Sequence, residues 1–169
     1  MIMKVEYINP FLQAIQSVFS TMLGWELERG QIYARDAFQP EHEVSGIISL
    51  SGRAAGTVVL SLSRQTALAV AEGMLGEPAK EINANVTDAV GELANMVAGS
   101  AKAKLEAWQL KISIPTVITG KSYCIEFPKG VPRICVPFES PAGSLTLEVG
   151  FRELTADEST SAEPATAQA

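Results

Sequence analysis

Histidine is almost missing from this chain: His42 is the only one among 169 residues, set in the polar stretch Gln39-Pro40-Glu41-His42-Glu43. A Ser–His–Asp or Cys–His mechanism would have to use that single imidazole, in a segment that reads as a solvated loop or strand edge, so both are set aside. A metal centre would need more ligands than the chain readily groups. Cysteine is equally scarce. Cys124 and Cys135 stand in apolar, strand-like runs and read as two buried thiols, because a disulfide framework belongs to a secretory context. No run approaches the ~20 apolar residues of a membrane span. In the opening MIMKVEYINP, Lys4 and Glu6 interrupt any signal-peptide core, so a cytoplasmic location is expected. Positive charge is also short: 13 Lys and Arg against 19 Asp and Glu give a net charge of −6. Nucleic acid is therefore not the expected partner, since phosphate binding needs clustered cations.

What remains is ordinary for a soluble globular protein: 47% apolar and 19% charged residues, enough for one domain with a proper core. That domain is expected over residues 1–152. From Glu153 the composition shifts to Ala, Thr, Ser and Glu without a core pattern, and residues 153–169 are expected to form a disordered tail.

Periodicity places the elements. A first helix is predicted over Asn9–Leu23, with Asn9 as cap, Pro10 at the first helical position, and Phe11, Ile15, Val18, Phe19 and Met22 facing inward. Gly24 ends it. Strands are predicted over Ile32–Ala37, Val44–Leu50 and Ala55–Leu62, the last two forming an antiparallel hairpin through Ser51-Gly52-Arg53. Ser63 caps a helix from Arg64 to Leu75, closed by Gly76. Further strands are predicted over Pro115–Thr119, Ser122–Phe127, Arg133–Phe138 and Ser144–Arg152. The order suggests two helix–strand halves and an α+β fold, with long helices packed on a mainly antiparallel sheet.

The stretch Asn83–Ala107, which opens the second half, is the longest predicted helix, entered through Asn83 or Asn85. Val86, Val90, Leu93, Val97, Ala101 and Lys104 fall on its inner side, and Asp88, Glu92, Asn95, Gly99 and Lys102 on its outer side. Glu92 and Asn95, three apart, emerge side by side. An acid and an amide on an exposed face are commonplace, but Gly91 and Gly99 bracket them, and each helical glycine costs about 1 kcal/mol against alanine. Close approach by a partner would justify that cost, and so would close packing under another part of the same chain.

The run Asp88-Ala89-Val90-Gly91-Glu92-Leu93-Ala94-Asn95-Met96-Val97-Ala98-Gly99-Ser100-Ala101-Lys102 strongly resembles the motif helix of the CheX branch of the CheC/CheX/FliY chemotaxis phosphatases. The opening Asn9-Pro10-Phe11 and the helix end Met22-Leu23-Gly24 are similar to the start of that branch, and the likeness extends from about Lys4 to Arg152. The resemblance implies a CheC-like fold and a hydrolase that removes the phosphoryl group from the phospho-aspartate of a response-regulator receiver domain of the CheY type. It assigns Glu92 to the receiver's active-site lysine and Asn95 to the water that attacks phosphorus. Gly91 and Gly99 would then permit close approach, with Asp88 and Lys102 flanking the contact. An acyl phosphate is already activated, so its hydrolysis needs an in-line water and charge balance more than a nucleophile. The resemblance further implies that this chain binds no cofactor, that Mg²⁺ belongs to the receiver, and that the protein is a homodimer with one motif helix per subunit. Aligning the two halves puts Ser17 and Ser20 where a second Glu and Asn would stand, in keeping with a single site. The alternative is a non-catalytic module of the same fold that docks a receiver or a flagellar-switch partner.

Overall fold

Strand pairing organises the molecule, and the computed structural model describes residues 5–36 and 39–160. In chain order the elements are α1 (Val5–Leu23), β1 (Glu28–Arg29), β2 (Tyr33–Ala34), β3 (Val44–Ser51), β4 (Ala54–Leu62), α2 (Arg64–Leu75) and α3 (Ala84–Ala103). A 3₁₀ turn (Glu106–Trp108) follows, then β5 (Lys111–Ile112), β6 (Thr116–Thr119), β7 (Ile134–Ser140), β8 (Gly143–Glu153) and α4 (Ala156–Thr160).

The strands form one antiparallel sheet in the order β1-β7-β8-β4-β3-β5, with β2 also on β7 and β6 also on β3. The predicted hairpin is present in register, Ile47 opposite Val59 and Ile48 opposite Val58. A second hairpin, β7–β8, meets it through nine β4–β8 residue pairs, from Ala54–Glu153 to Leu62–Leu145. Each half is thus a helix leading to a hairpin, and the two hairpins join at the middle of the sheet. This is the α+β architecture expected.

One sheet face carries the helices. Val44, Ile48 and Leu50 of β3, Val58, Leu60 and Leu62 of β4, and Leu145, Leu147, Val149 and Phe151 of β8 meet Phe11, Ile15, Phe19, Val90, Leu93 and Val97 in one core. Gly56 lies opposite Phe151, and a Cβ there would come within 2.3 Å of the Phe151 Cβ. The absence of a side chain lets Phe151 join Tyr7, Phe11 and Trp108 in an aromatic cluster with centroids 5.7–6.0 Å from its own.

The other face is buried too, which strand alternation did not reveal. Thr57, Val59, Ser61, Thr146 and Glu148 point away from the helices and are nonetheless buried. Arg35, Glu41 and His42, and the segment from Tyr123 to Arg133, lie over this face. Tyr123 donates to Ser45 Oγ at 2.8 Å, Ser45 bonds Ser61 at 3.2 Å, and His42 Nε2 lies 3.3 Å from Thr146 Oγ1. Glu148, fully buried, pairs with Arg133, whose guanidinium stacks 4.8 Å from the Phe127 ring centroid. Arg35 lies 3.8 Å from Glu148 and 2.9 Å from Glu41.

Several sequence expectations change in the structure. Helix α1 begins at Val5, with Pro10 inside it rather than at its first position. Near the amino end this forfeits one backbone bond, and the helix's buried face outweighs the loss. Met22, expected inward, and Leu75, which helical spacing also puts on the core side of its helix, are 38% and 52% exposed, each in the last turn of its helix. Val70 takes the buried place in α2 instead. Residues 122–127 form no strand: the segment lies across the outer sheet face, secured by side chains. Cys124 is consequently exposed, while Cys135 is buried as expected; both are free thiols. Ala37, the predicted end of the 32–37 strand, lies outside the described residues, and so do residues 161–169 of the expected tail. The start of that tail is structured. β8 runs through Glu153, and the one-turn helix α4 is held by Arg152 donating to Glu158 at 2.9 and 3.1 Å.

Candidate functional site

Helix α3 carries the candidate residues, and its seat explains their presentation. Asn83 caps it by accepting from the Val86 N–H at 3.1 Å, a bond of a kind worth about 1 kcal/mol. The inner face is mostly small: Ala89, Ala94, Ala98 and Ala101 are buried beside Val86, Val90, Leu93 and Val97. Beneath it, Gly46 of β3 offers no side chain, and a Cβ there would lie 2.9 Å from the Ala94 Cβ and 3.4 Å from the Val90 carbonyl. Alanine above and glycine below let the helix lie tightly on β3. Gly46 was not singled out from sequence; a glycine interrupting a strand was the available signal. Lys104, predicted inward, is the exposed C-cap residue, and Leu105 fills the core position instead.

The outward residues are as the periodicity predicts. Asp88, Glu92 and Lys102 are exposed, and Asn95 is half-buried. Among the described residues, no hydrogen bond or ion pair engages the side chains of Glu92 or Asn95. Both are therefore available to an external partner, with their backbone fixed in the middle of a twenty-residue helix.

The two glycines differ. Gly91 is buried, and a Cβ there would come within 3.2 Å of Val117 Cγ2 and 3.5 Å of the Pro115 side chain. Its reason lies in this chain: it lets β6 and the residue before it close on α3. Gly99 is half-exposed, and the nearest atom to a Cβ there is Ile112 Cδ1, at 3.9 Å. Gly99 thus remains the glycine open to a partner. Between α3 and β6 runs a shallow groove of about 340 Å³ lined by Thr87, Asp88, Gly91, Glu92, Pro115 and Val117. Ser17 and Ser20 are exposed on α1, away from this groove.

Chemically the face offers the Glu92 carboxylate and the Asn95 carboxamide, with the Asp88 carboxylate one turn before Glu92, and α3 carries no histidine or cysteine. Among the described residues no group of three or more His, Cys, Asp or Glu is placed to hold a metal ion, and no helix is long and apolar enough to cross a membrane. A catalytic role for such a face requires that a partner bring the reacting group and any metal with it.

Comparison with known proteins gives a consistent answer. Residues 44–139, which include the whole of α3, match the family model described as chemotaxis phosphatase CheX. The chain is 28% identical over 127 residues to the CheY-P phosphatase CheX of Thermotoga maritima, covering 73% of this chain and 82% of that one. Among solved structures, a CheC-like superfamily protein from Shewanella sp. PV-4 superposes with a TM-score of 0.80 at 33% identity, over 89% of this chain and 99% of that one. A chain from the CheX–CheY–BeF3–Mg²⁺ complex of Borrelia burgdorferi superposes with a TM-score of 0.74 at 28% identity, over 89% of this chain and all of that one.

Proposed function

The chain belongs to the chemotaxis phosphatase CheX family, and from that membership we propose that it hydrolyses the phospho-aspartate of a CheY-type receiver domain, using Glu92 and Asn95. The observation that carries this reading is the presentation of those two side chains, adjacent, unengaged within the described chain, and projecting from a helix seated on glycine and alanine. A relative bearing the name CheY-P phosphatase, and a related CheX in complex with CheY, BeF3 and Mg²⁺, support the choice of substrate.

In this mechanism Glu92 pairs with the receiver's active-site lysine and sets the docking register. Asn95 then reaches the phosphorylation site. Its carboxamide has a donor and an acceptor, so it can hold a water in line with the scissile P–O bond without adding negative charge. The water attacks phosphorus, the bond to the aspartyl oxygen breaks, and the aspartate carboxylate leaves. Mg²⁺ held by the receiver balances the phosphoryl charge. Asp88, Gly99 and Lys102 border the contact, and Gly91 contributes by letting β6 close on the helix.

The protein is further proposed to act as a homodimer with one motif helix per subunit. Among the described strands β6 pairs only with β3, so its outer edge can extend the sheet into a second copy. Sedimentation equilibrium checks the mass.

The deciding experiment follows the decay of a phosphorylated CheY-type receiver with the parent protein, Asn95→Ala and Glu92→Ala. The parent should accelerate decay, Asn95→Ala should abolish the acceleration, and Glu92→Ala should weaken it. Equal acceleration by all three refutes the assigned roles. Binding of the receiver by the parent without turnover would instead make this a docking module of the same fold.

A further inference from the structure

The β5–β6 segment runs back along the face of α3 that carries the candidate pair. Ile112 lies beside Gly99, and Pro115 and Val117 lie beside Gly91. The residues between them, Ser113 and Ile114, therefore pass alongside the middle of that stretch, where Asn95 stands. Ile114 is 87% exposed, the largest exposure among the described large hydrophobic residues; the next, Leu75, is 52% exposed.

This is not a loose loop tip. The Ser113 N–H donates to the Ser49 carbonyl at 3.0 Å, the Ser49 N–H donates back to Ser113 Oγ at 2.9 Å, and that hydroxyl donates to the Ile114 carbonyl at 2.9 Å. Pro115 follows and packs at Gly91, fixing the next backbone dihedral. The backbone on both sides of Ile114 is thus tied to β3 and α3, while the side chain is held in water. A β-branched apolar group presented on pinned backbone loses little freedom when a partner covers it.

We propose that Ile114 is an apolar docking residue that packs against the receiver's surface beside its phosphorylation site and sets affinity for it. The inference rests on the phosphatase reading above, since it takes the occupant of this face to be the receiver. The polar pair and the apolar residue then divide the work. Glu92 and Asn95 engage charge and water, and Ile114 supplies burial that needs no phosphoryl group.

The test measures Kd for a receiver loaded with BeF3 and Mg²⁺, and KM and kcat for its phosphorylated form, with the parent, Ile114→Ser and Leu75→Ser. Removing a docked isoleucine should raise Kd and KM about tenfold or more, with kcat within about twofold of the parent. The Ile114→Ser defect should persist in high salt, because it is apolar in origin. Leu75→Ser, an exposed change on α2, should match the parent. Ile114→Val should restore most of the affinity. If Ile114→Ser binds and turns over as the parent does, the inference is overturned and the phosphatase reading stands. A parent that neither binds nor dephosphorylates the receiver overturns both. Equal losses in the Ile114 and Leu75 variants would mean a general surface effect, and would also overturn the inference.

Discussion

Replacing Arg133 with methionine isolates the ion pair that secures the outer sheet face. Glu148 is fully buried on β8, and Arg133 meets it through both Nε and Nη2. Methionine keeps most of the apolar stem but gives up the guanidinium over Phe127 along with the ion pair, so the change strands a carboxylate and loses one stacking contact. Leaving a buried charge unpaired costs about 3–5 kcal/mol. Arg35, 3.8 Å from the other Glu148 oxygen, offers partial compensation and favours the lower end of that range. For a domain of this size each kcal/mol moves Tm by roughly 2–4 °C, so a fall of about 6–12 °C is expected.

Two comparisons separate the pair from simple packing. In Arg133→Met/Glu148→Met both charges are gone, and stability should return to near or above the parent value, because replacing a buried pair by apolar groups is often neutral or favourable. The pH dependence of the single variant carries a sign. Burial already raises the Glu148 carboxyl above its usual value, opposed by Arg133, and removing Arg133 raises it further. A carboxyl with a raised folded-state pKa gives its full stability below the unfolded value and loses it as pH rises through the folded value. Arg133→Met should therefore be closest to the parent near pH 4.5 and fall away towards neutrality. Urea titrations at several pH values measure this. A single variant within about 1 kcal/mol of the parent, or a double variant as unstable as the single, would refute the ion-pair account.

Other expectations follow from the same geometry. Gly99→Ala would make only an ordinary contact with Ile112 at 3.9 Å and should stabilise α3 by up to about 1 kcal/mol while weakening receiver binding, whereas Gly91→Ala meets Val117 at 3.2 Å and should gain nothing in stability; chemical denaturation and receiver Kd together check both. Burial lowers the His42 imidazole below its ordinary 6.5, so stability should be lost as pH falls from 6.5 through the folded value. NMR titration of the single imidazole gives that value directly, and His42→Gln should flatten the slope. Burial pushes the Cys135 thiol up to about 12, and Cys124 is exposed. A thiol reagent at pH 8 should therefore modify one cysteine in the native protein and two after denaturation; two in the native state would show that the segment over Cys135 opens.

The inner half of this molecule was legible because periodicity records burial. Helix α3 as far as Ala103 (short of the predicted Ala107), its Asn83 cap, the β3–β4 hairpin and the Ser63 and Gly76 ends of α2 follow from local rules that the tertiary structure did not override. The outer half was not legible, for a physical reason. Strand alternation reads polar residues as solvated, yet Thr146, Ser61 and Glu148 are buried because irregular chain lies over them and supplies hydrogen bonds and a counter-charge. Such coverage has no period, so residues 122–127 looked like a strand and Cys124 looked buried. At the site, the outward side of Glu92 and Asn95 was derivable, whereas the difference between Gly91 and Gly99 depended on where β6 comes to rest. The role of the pair entered through family likeness, since an acid three residues before an amide has no chemistry of its own.

That last point sets a demand on Asn95 that a single substitution can meet or fail. If the amide positions water beside a phosphoryl group, its neutrality matters as much as its shape. Asn95→Asp keeps the shape and exchanges the donor for a negative charge. At about 5 Å from a phosphoryl oxygen, with an effective dielectric near 20, one added charge pair costs roughly 3 kcal/mol, or about a hundredfold in rate. The helix position is half-buried without hydrogen bonds to the described chain, so folding should be little changed, as far-UV circular dichroism would report. A water activated by a general base would give the opposite result, because a carboxylate is the stronger base. Turnover by Asn95→Asp at or above the parent rate would therefore replace water positioning with base catalysis, while a loss of at least a hundredfold in kcat would support the neutral amide.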